Sequence, residues 1–501
     1  MGAACVPAAT LLIPEVSLVI HSVRQRTWRS LAVSLIVPLA AAGAQTGKAQ
    51  SAASIRIPYE KYTLPNGLTV VLSEDHSTPT VAVEVMYHVG SKNEHPGHTG
   101  FAHMFEHVMF TGSGHVPYGL HDKFTEGVGG GNNGSTNNDE TQYYETIPSN
   151  YLQTALWLES DRMGWLLDSL DQAKFAAQRD IVKNERRQRT DNQPYARDNE
   201  VIMMTMFPSP NPYSWPVVGK MSDLTNATVD DVKRFFRLYY APNNATLAIV
   251  GDFNPKQAKA WVAHYFDDIP HGQPITRPKP MASPLRGERR LTFEDRVQVP
   301  RLTIAWPGAD QHNPDRFALD VMSSILTDSR TSRLTKALVY DLQSAASVRM
   351  FSGNAEQMGD IEVAVTPRPG HTLTELEGQV DSVLAQFKRE GPTADELTRA
   401  KAGLQLGFLQ SLESDLFKAI TLASDQTVYN NPGESFEVDY PKTQAVTAAD
   451  VKRVANKYLT ATRIVLSNVP LGKPELASHA DKSTVVTDPY TETATEGGAK
   501  R

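Results

Sequence analysis

An internal repeat constrains this chain more than any other feature. Thr228-Val-Asp-Asp231-Val232-Lys233-Arg234 with Tyr239 returns as Thr447-Ala-Ala-Asp450-Val451-Lys452-Arg453 with Tyr458, each position 219 residues further on. Both copies predict a threonine-capped amphipathic helix, followed by a β-rich run at residues 245–250 in one and 463–466 in the other. A duplicated unit is the simplest cause, and 501 residues exceed one ordinary core, so two homologous domains are expected. Residues 271–287 are rich in Pro and Gly and lack periodicity, which places the interdomain linker there. Strand patterns such as Thr80–Tyr87 and residues 302–306, each followed by helical periodicity, make each half an α+β unit.

The first half carries His103-Met104-Phe105-Glu106-His107. Residues four apart on a helix lie one turn above each other, so His103 and His107 can reach one tetrahedral Zn²⁺ while Glu106 stays free to act on bound water. Apolar Phe101, Ala102, Met104, Phe105, Val108, Met109 and Phe110, with Gly112 as a stop, predict that helix. Five residues alone fit a buried, hydrogen-bonded histidine pair beside a glutamate equally well. A zinc site also needs a third protein ligand and an open position. Glu185 is the candidate, on a predicted helix whose one face is marked by Phe175, Ile181 and Val182.

These residues, with the glutamate 78 positions after the second histidine and the following Asp191-Asn192-Gln193-Pro194, resemble the inverted-zincin peptidases. That group is family M16, which includes pitrilysin, insulinase and the mitochondrial processing peptidase. The resemblance extends over Thr63-Leu-Pro-Asn-Gly-Leu-Thr-Val-Val-Leu, Gly130-Gly131-Asn132-Asn133, Asp139-Glu-Thr-Gln-Tyr143 and Tyr213-Ser-Trp-Pro-Val-Val-Gly219. It implies a duplicated metallohydrolase fold, in which each domain is a mainly antiparallel sheet covered by helices on one side. It also implies that the two-domain chain is half of a clamshell. The activity implied is that of a zinc endopeptidase acting on peptides or small unfolded polypeptides, with one Zn²⁺ per chain held by His103, His107 and Glu185. Glu106 would take a proton from water that the metal has made acidic and pass it to the departing amine. A non-catalytic structural or assembly subunit is the alternative, and retention of all four residues argues against it.

Gly129-x-Gly131-x-x-Gly134 matches a dinucleotide fingerprint by letter, but a strand-like segment follows it where a helix should begin. An exposed edge strand is the better reading. In the resembled family the equivalent segment pairs with the extended substrate backbone, so Gly131, Asn133 and Ser135 are the candidate substrate-binding residues. His95, His98, His115 and His121 lack helical spacing to a partner ligand plus a carboxylate and are expected at solvated loop positions.

Two departures qualify the resemblance. Gln178 stands where relatives usually have a supporting glutamate, which keeps a hydrogen-bonding oxygen near the metal ligands but removes a charge. Val339 and Ala346 replace an arginine and tyrosine thought to hold the substrate carbonyl and its oxyanion, a contribution neither side chain can make. The expected partner is therefore a homologous M16 subunit that supplies Arg and Tyr in a heterodimer, a homodimer remaining open.

The net charge of −7 gives no basic field for nucleic acid. Arg24, Arg26 and Arg29 ahead of an apolar run at residues 31–39 and Ala42-Gly43-Ala44 read as an export signal cleaved after Ala44, which implies a periplasmic protein without a stable membrane anchor. Cys5, the only cysteine, falls in this leader, leaving no disulfide to support the mature fold. The expected layout is a leader at 1–50, a zinc-binding domain at 51–270, a linker at 271–290, a domain without metal ligands at 291–470 and a flexible tail at 471–501.

Overall fold

Two six-stranded sheets of matching design organise the described residues. The computed structural model describes residues 55–486, so the expected leader and residues 487–501 of the expected tail lie outside the described residues. The first sheet contains β1 (Glu60–Thr63), β2 (Thr69–Glu74), β3 (Thr80–Tyr87), β4 (Gly131–Thr136), β5 (Thr141–Pro148) and β6 (Ala245–Gly251), in the spatial order β1-β2-β6-β3-β5-β4. The second contains β7 (Arg289–Asp295), β8 (Arg301–Pro307), β9 (Ala345–Asn354), β10 (Gly359–Pro367), β11 (Ile464–Pro470) and β12 (Thr484–Val486), in the order β12-β7-β11-β8-β10-β9. Pairing is mainly antiparallel, with β2–β6, β7–β11 and β7–β12 parallel. The expected α+β duplication is present, and β6 corresponds to β11 as the repeat requires.

Residue chemistry explains the placement. Every residue of β6 is buried, and a continuous apolar run of this kind belongs at a sheet centre. β4 is rich in Gly, Asn and Ser and sits at the edge, where little side-chain packing is needed. The repeated helices Val229–Tyr239 and Ala448–Tyr458 both begin with a reciprocal cap, Thr228 with Asp231 and Thr447 with Asp450.

The halves are less separable than the linker suggested, because each sheet is covered on its second face by a helix from the other half. Ala419, Leu422 and Ala423 of the helix Asp415–Tyr429, with Phe436 just beyond it, pack on Val71, Ala82, Met86, Ala248 and Val250 of the first sheet. In return, Val201, Ile202, Met203 and Met206 of the helix Asp198–Met206 pack on Leu291, Phe293, Ala305 and Leu466 of the second. This corrects the expectation of helices on one side only. A sheet with two apolar faces must bury both, and the long connection of each half supplies the cover.

The linker and the tail are both better fixed than expected. The linker is irregular, but it is tied down: Arg277 donates to Asn244 Oδ1 at 2.6 Å and Met281 O accepts from Asn211 Nδ2 at 3.1 Å. The tail does not begin at 471, since Ser478 is buried and β12 adds a parallel strand beside β7.

Candidate metal centre

The short helix Phe101–Val108 buries Phe101, Ala102, Met104, Phe105 and Val108 and leaves His103, Glu106 and His107 half-buried on one face. Its start is set by Gly100, whose φ of 89° suits glycine, and by the Glu94 carboxylate, which accepts from Gly100 N and Ala102 N at 2.8 Å each. A Cβ on Gly100 would lie 2.8 Å from Gly219 Cα, so the loop that follows Tyr213 is pressed against the helix start. Arg186 fixes that loop by donating to Gly219 O at 2.7 Å.

The second helix, Gln172–Arg186, buries Phe175, Gln178 and Val182, whereas Ile181 is 47% exposed and does not mark the packed face. Phe175, Gln178 and Val182 follow the i, i+3, i+7 stripe, and Ile181 falls outside it. Glu185 comes two turns after Gln178 and meets the histidines: its Oε2 lies 3.1 Å from His107 Nε2 and 3.6 Å from His103 Nε2. Tetrahedral zinc with bonds of about 2.0–2.1 Å needs ligand atoms about 3.3 Å apart, so both distances from Glu185 to the histidines suit one shared ion. Burial, reinforced by the neighbouring His107, pushes His103 down to about 4, and burial pushes His107 down as well. Both imidazoles are thereby kept in the neutral form that binds a metal. Arg189, one turn after Glu185, holds its other oxygen at 2.6 Å.

Glu106 lies beside the two histidines, with ligand atoms of all three within 4.8 Å of one another, and it has a partner of its own. Thr136 at the end of β4 donates to Glu106 Oε2 at 2.7 Å, and a Cβ on Gly134 would lie 3.1 Å from Glu106 Cγ, so the edge strand packs directly on the carboxylate. Burial pushes Glu106 above the usual carboxylate range, against the pull of the Thr136 hydrogen bond. Sequence reasoning missed Thr136, Gly134, Glu94 and Arg189. Only Arg189 had a local signal, its i, i+4 spacing to Glu185.

Residues 69–211 match the family model described as "Insulinase (Peptidase family M16)", and residues 226–404 match "Peptidase M16 inactive domain". A Helicobacter pylori protein described as "Zinc protease PqqE" is 31% identical over 425 residues, covering 83% of this chain and 94% of the relative. The chain belongs to peptidase family M16. Its relatives are described as zinc proteases, which makes this a zinc peptidase family. The crystal structure of a protease from Helicobacter pylori superimposes with a TM-score of 0.77 at 28% identity, covering 83% of this chain and all of that one. An Arabidopsis thaliana relative described as a probable mitochondrial-processing peptidase subunit beta is 24% identical, over 81% of this chain and 77% of the relative.

The other sequence-predicted M16 residues fall as follows. Gly131 and Asn133 are exposed and Ser135 is half-buried on β4, which among the described residues pairs only with β5 and leaves its other edge free. Gln178 is buried, but His103 Nδ1, an atom such a supporting group would reach, is buried without a hydrogen-bond partner. Val339 packs partly buried against the second core, and Ala346 is exposed on the edge strand β9. His121 corrects the expectation of solvated histidines: it is 7% exposed, on the helix Leu120–Gly127, with Nε2 3.0 Å from Glu145 Oε2. It forms a buried network with Glu145 and Glu159, and Glu159 is already taken by Arg162 at 2.8 Å. That counter-charge makes an ion-pair network the better reading than a second metal site.

Proposed function

We propose that this chain is the zinc-bearing subunit of an endopeptidase. The observation that carries the proposal is the convergence of His103, His107 and Glu185, with Glu106 beside the histidines and oriented by a hydrogen bond from Thr136. Zn²⁺ held by the triad supplies Lewis acidity toward the scissile carbonyl and toward water. Glu106 takes the proton of the attacking water and returns it to the departing amine, one carboxylate serving as base and then acid. Its burial supports this role, because a carboxyl pushed upward holds a proton long enough to deliver it. The free edge of β4 takes the substrate as an added strand, with Gly131, Asn133 and Ser135 facing it.

Val339 and Ala346 offer no donor for the oxyanion, so the reading includes a homologous partner that supplies arginine and tyrosine. It also includes export to the periplasm by the leader, which the N-terminal sequence of the mature protein tests. The main experiment purifies the chain with and without its co-occurring homologue and measures zinc content and cleavage of a mixed peptide library. Glu106→Gln is expected to keep one zinc per chain and lose nearly all cleavage. Full activity in that variant, or a wild type that binds no zinc, would sink the assignment.

A further inference from the structure

Glu185 divides its two oxygens between two partners. Oε2 lies 3.1 Å from His107 Nε2 and 3.6 Å from His103 Nε2, while Oε1 accepts from Arg189 Nη1 at 2.6 Å. That division matters at a metal, because a carboxylate can grip one ion through a single oxygen or through both. A catalytic zinc site uses three protein donors and keeps a fourth position for water, with room for a fifth contact as the transition state forms. A Glu185 that closed both oxygens on the ion would fill a position the reaction needs.

Arg189 is placed by more than helical spacing. The helix Gln172–Arg186 runs on into one π-type turn, Arg187–Asp191, closed by Asn192 N donating to Arg187 O at 2.9 Å. Such a turn bonds residues five apart, and here the buried Arg186 reaches Asp191 at 3.3 Å and anchors it. Arg186 also donates to Gly219 O, so the turn is tied to the loop that is pressed against the start of the histidine helix. The neighbouring Arg187 is turned elsewhere, donating to Asn184 Oδ1 at 2.7 Å. The positive charge of Arg189 acts on His103, His107 and Glu106 as well as on Glu185, which places it at the centre itself. An ordinary surface pair is the plain alternative, since the Arg189 side chain is 79% exposed and such pairs contribute little to stability. In that case the centre would be indifferent to the loss of Arg189.

We propose that Arg189 is a positioning residue that keeps Glu185 a one-oxygen ligand, by holding Oε1 away from the ion that Oε2 and the two histidines would share. The proposal rests on the zinc reading given above. A charge-assisted hydrogen bond satisfies Oε1 where it stands, so that oxygen gains less by turning to the ion. The open side of the centre is thereby set by a residue that is not itself a ligand.

The test loads the full chain with Co²⁺ in place of zinc, because the visible absorption of Co²⁺ weakens as its coordination number rises. Wild type should bind the ion and show the strong bands of a four-coordinate site. Arg189→Met, which keeps length and helix propensity but removes the donor, should still bind it, with band intensity down about twofold or more as a further oxygen joins. Arg189→Lys restores a donor and should recover most of the intensity. With zinc and the partner present, Arg189→Met should also lower kcat by about 10- to 100-fold with KM little changed. Unchanged bands in Arg189→Met at full metal occupancy, weak bands already in wild type, or an Arg189→Met chain that loses the ion altogether would each overturn the proposal and leave the zinc reading standing. A wild type that takes up neither Co²⁺ nor Zn²⁺ overturns the zinc reading, and the role of Arg189 with it.

Discussion

Replacing Thr136 by valine isolates one contact to the proposed base. The hydroxyl donates to Glu106 Oε2 at 2.7 Å, and valine keeps the branched shape that suits the end of β4. A hydrogen bond to a charged acceptor contributes about 1.5–3 kcal/mol. Glu106 stays three-quarters buried beside Gly134, where even an added Cβ would meet its Cγ at 3.1 Å, so the lower end of that range applies. About 1.5–2 kcal/mol of lost orientation corresponds to a fall in kcat of roughly 10- to 30-fold. KM should hold, because the strand edge offered to substrate is intact. Zinc content by mass spectrometry should also hold, because Thr136 touches none of His103, His107 and Glu185. Thr136→Ser restores the hydroxyl and should recover most of the rate. Measured with a quenched fluorescent peptide and the partner present, an unchanged kcat in Thr136→Val would refute the positioning role. So would a rate loss that merely tracks loss of zinc.

Two further perturbations probe how the halves hold each other. Leu422 is fully buried in the second half's helix against the first sheet, so Leu422→Ala should cost about 2–5 kcal/mol and lower the urea midpoint of the whole chain in one transition. Separate unfolding of the two halves would contradict the interlocked packing. Burial alone would push Glu356 up, but its hydrogen bond and ion pairs with His88 and the buried Lys92 hold it down to about 2. A carboxyl depressed in the folded state contributes stability above its unfolded value of about 4.3, and that stability is lost as pH falls from there toward 2. Glu356→Gln should therefore flatten the acid limb of a melting profile, and parallel acid limbs in variant and wild type would count against this assignment.

What the sequence discloses here follows physical range. The repeat, the caps at Thr228 and Thr447 and the strands Thr80–Tyr87 and Ala245–Gly251 depend on neighbours a few residues away, and they stand where periodicity puts them. The meeting of His103, His107 and Glu185 was legible for a different reason: the histidines are fixed by helical spacing, and Glu185 stood on a following helix as the candidate third ligand, which the family likeness then supported. Contacts that join distant segments left no such trace. Thr136 reaches Glu106 across 30 residues and Glu356 reaches Lys92 across 264, and nothing in either local sequence announces the other end. Ile181 and His121 went wrong because hydropathy describes a side chain and not the direction in which its backbone points it. The exchanged helices were invisible because their apolar faces look the same whichever sheet they cover.

That exchange changes what a break in the chain would mean. Residues 271–287 look like the place to cut the protein into a metal-binding piece and an inert one, yet each piece would carry away the lid of the other's sheet. A nick there should leave two fragments still clasped. Expressed alone, the first half would present Val71, Met86 and Val250 to water, a ready surface for misassembly. The unit that folds, and the unit on which selection can act, is the interlocked pair.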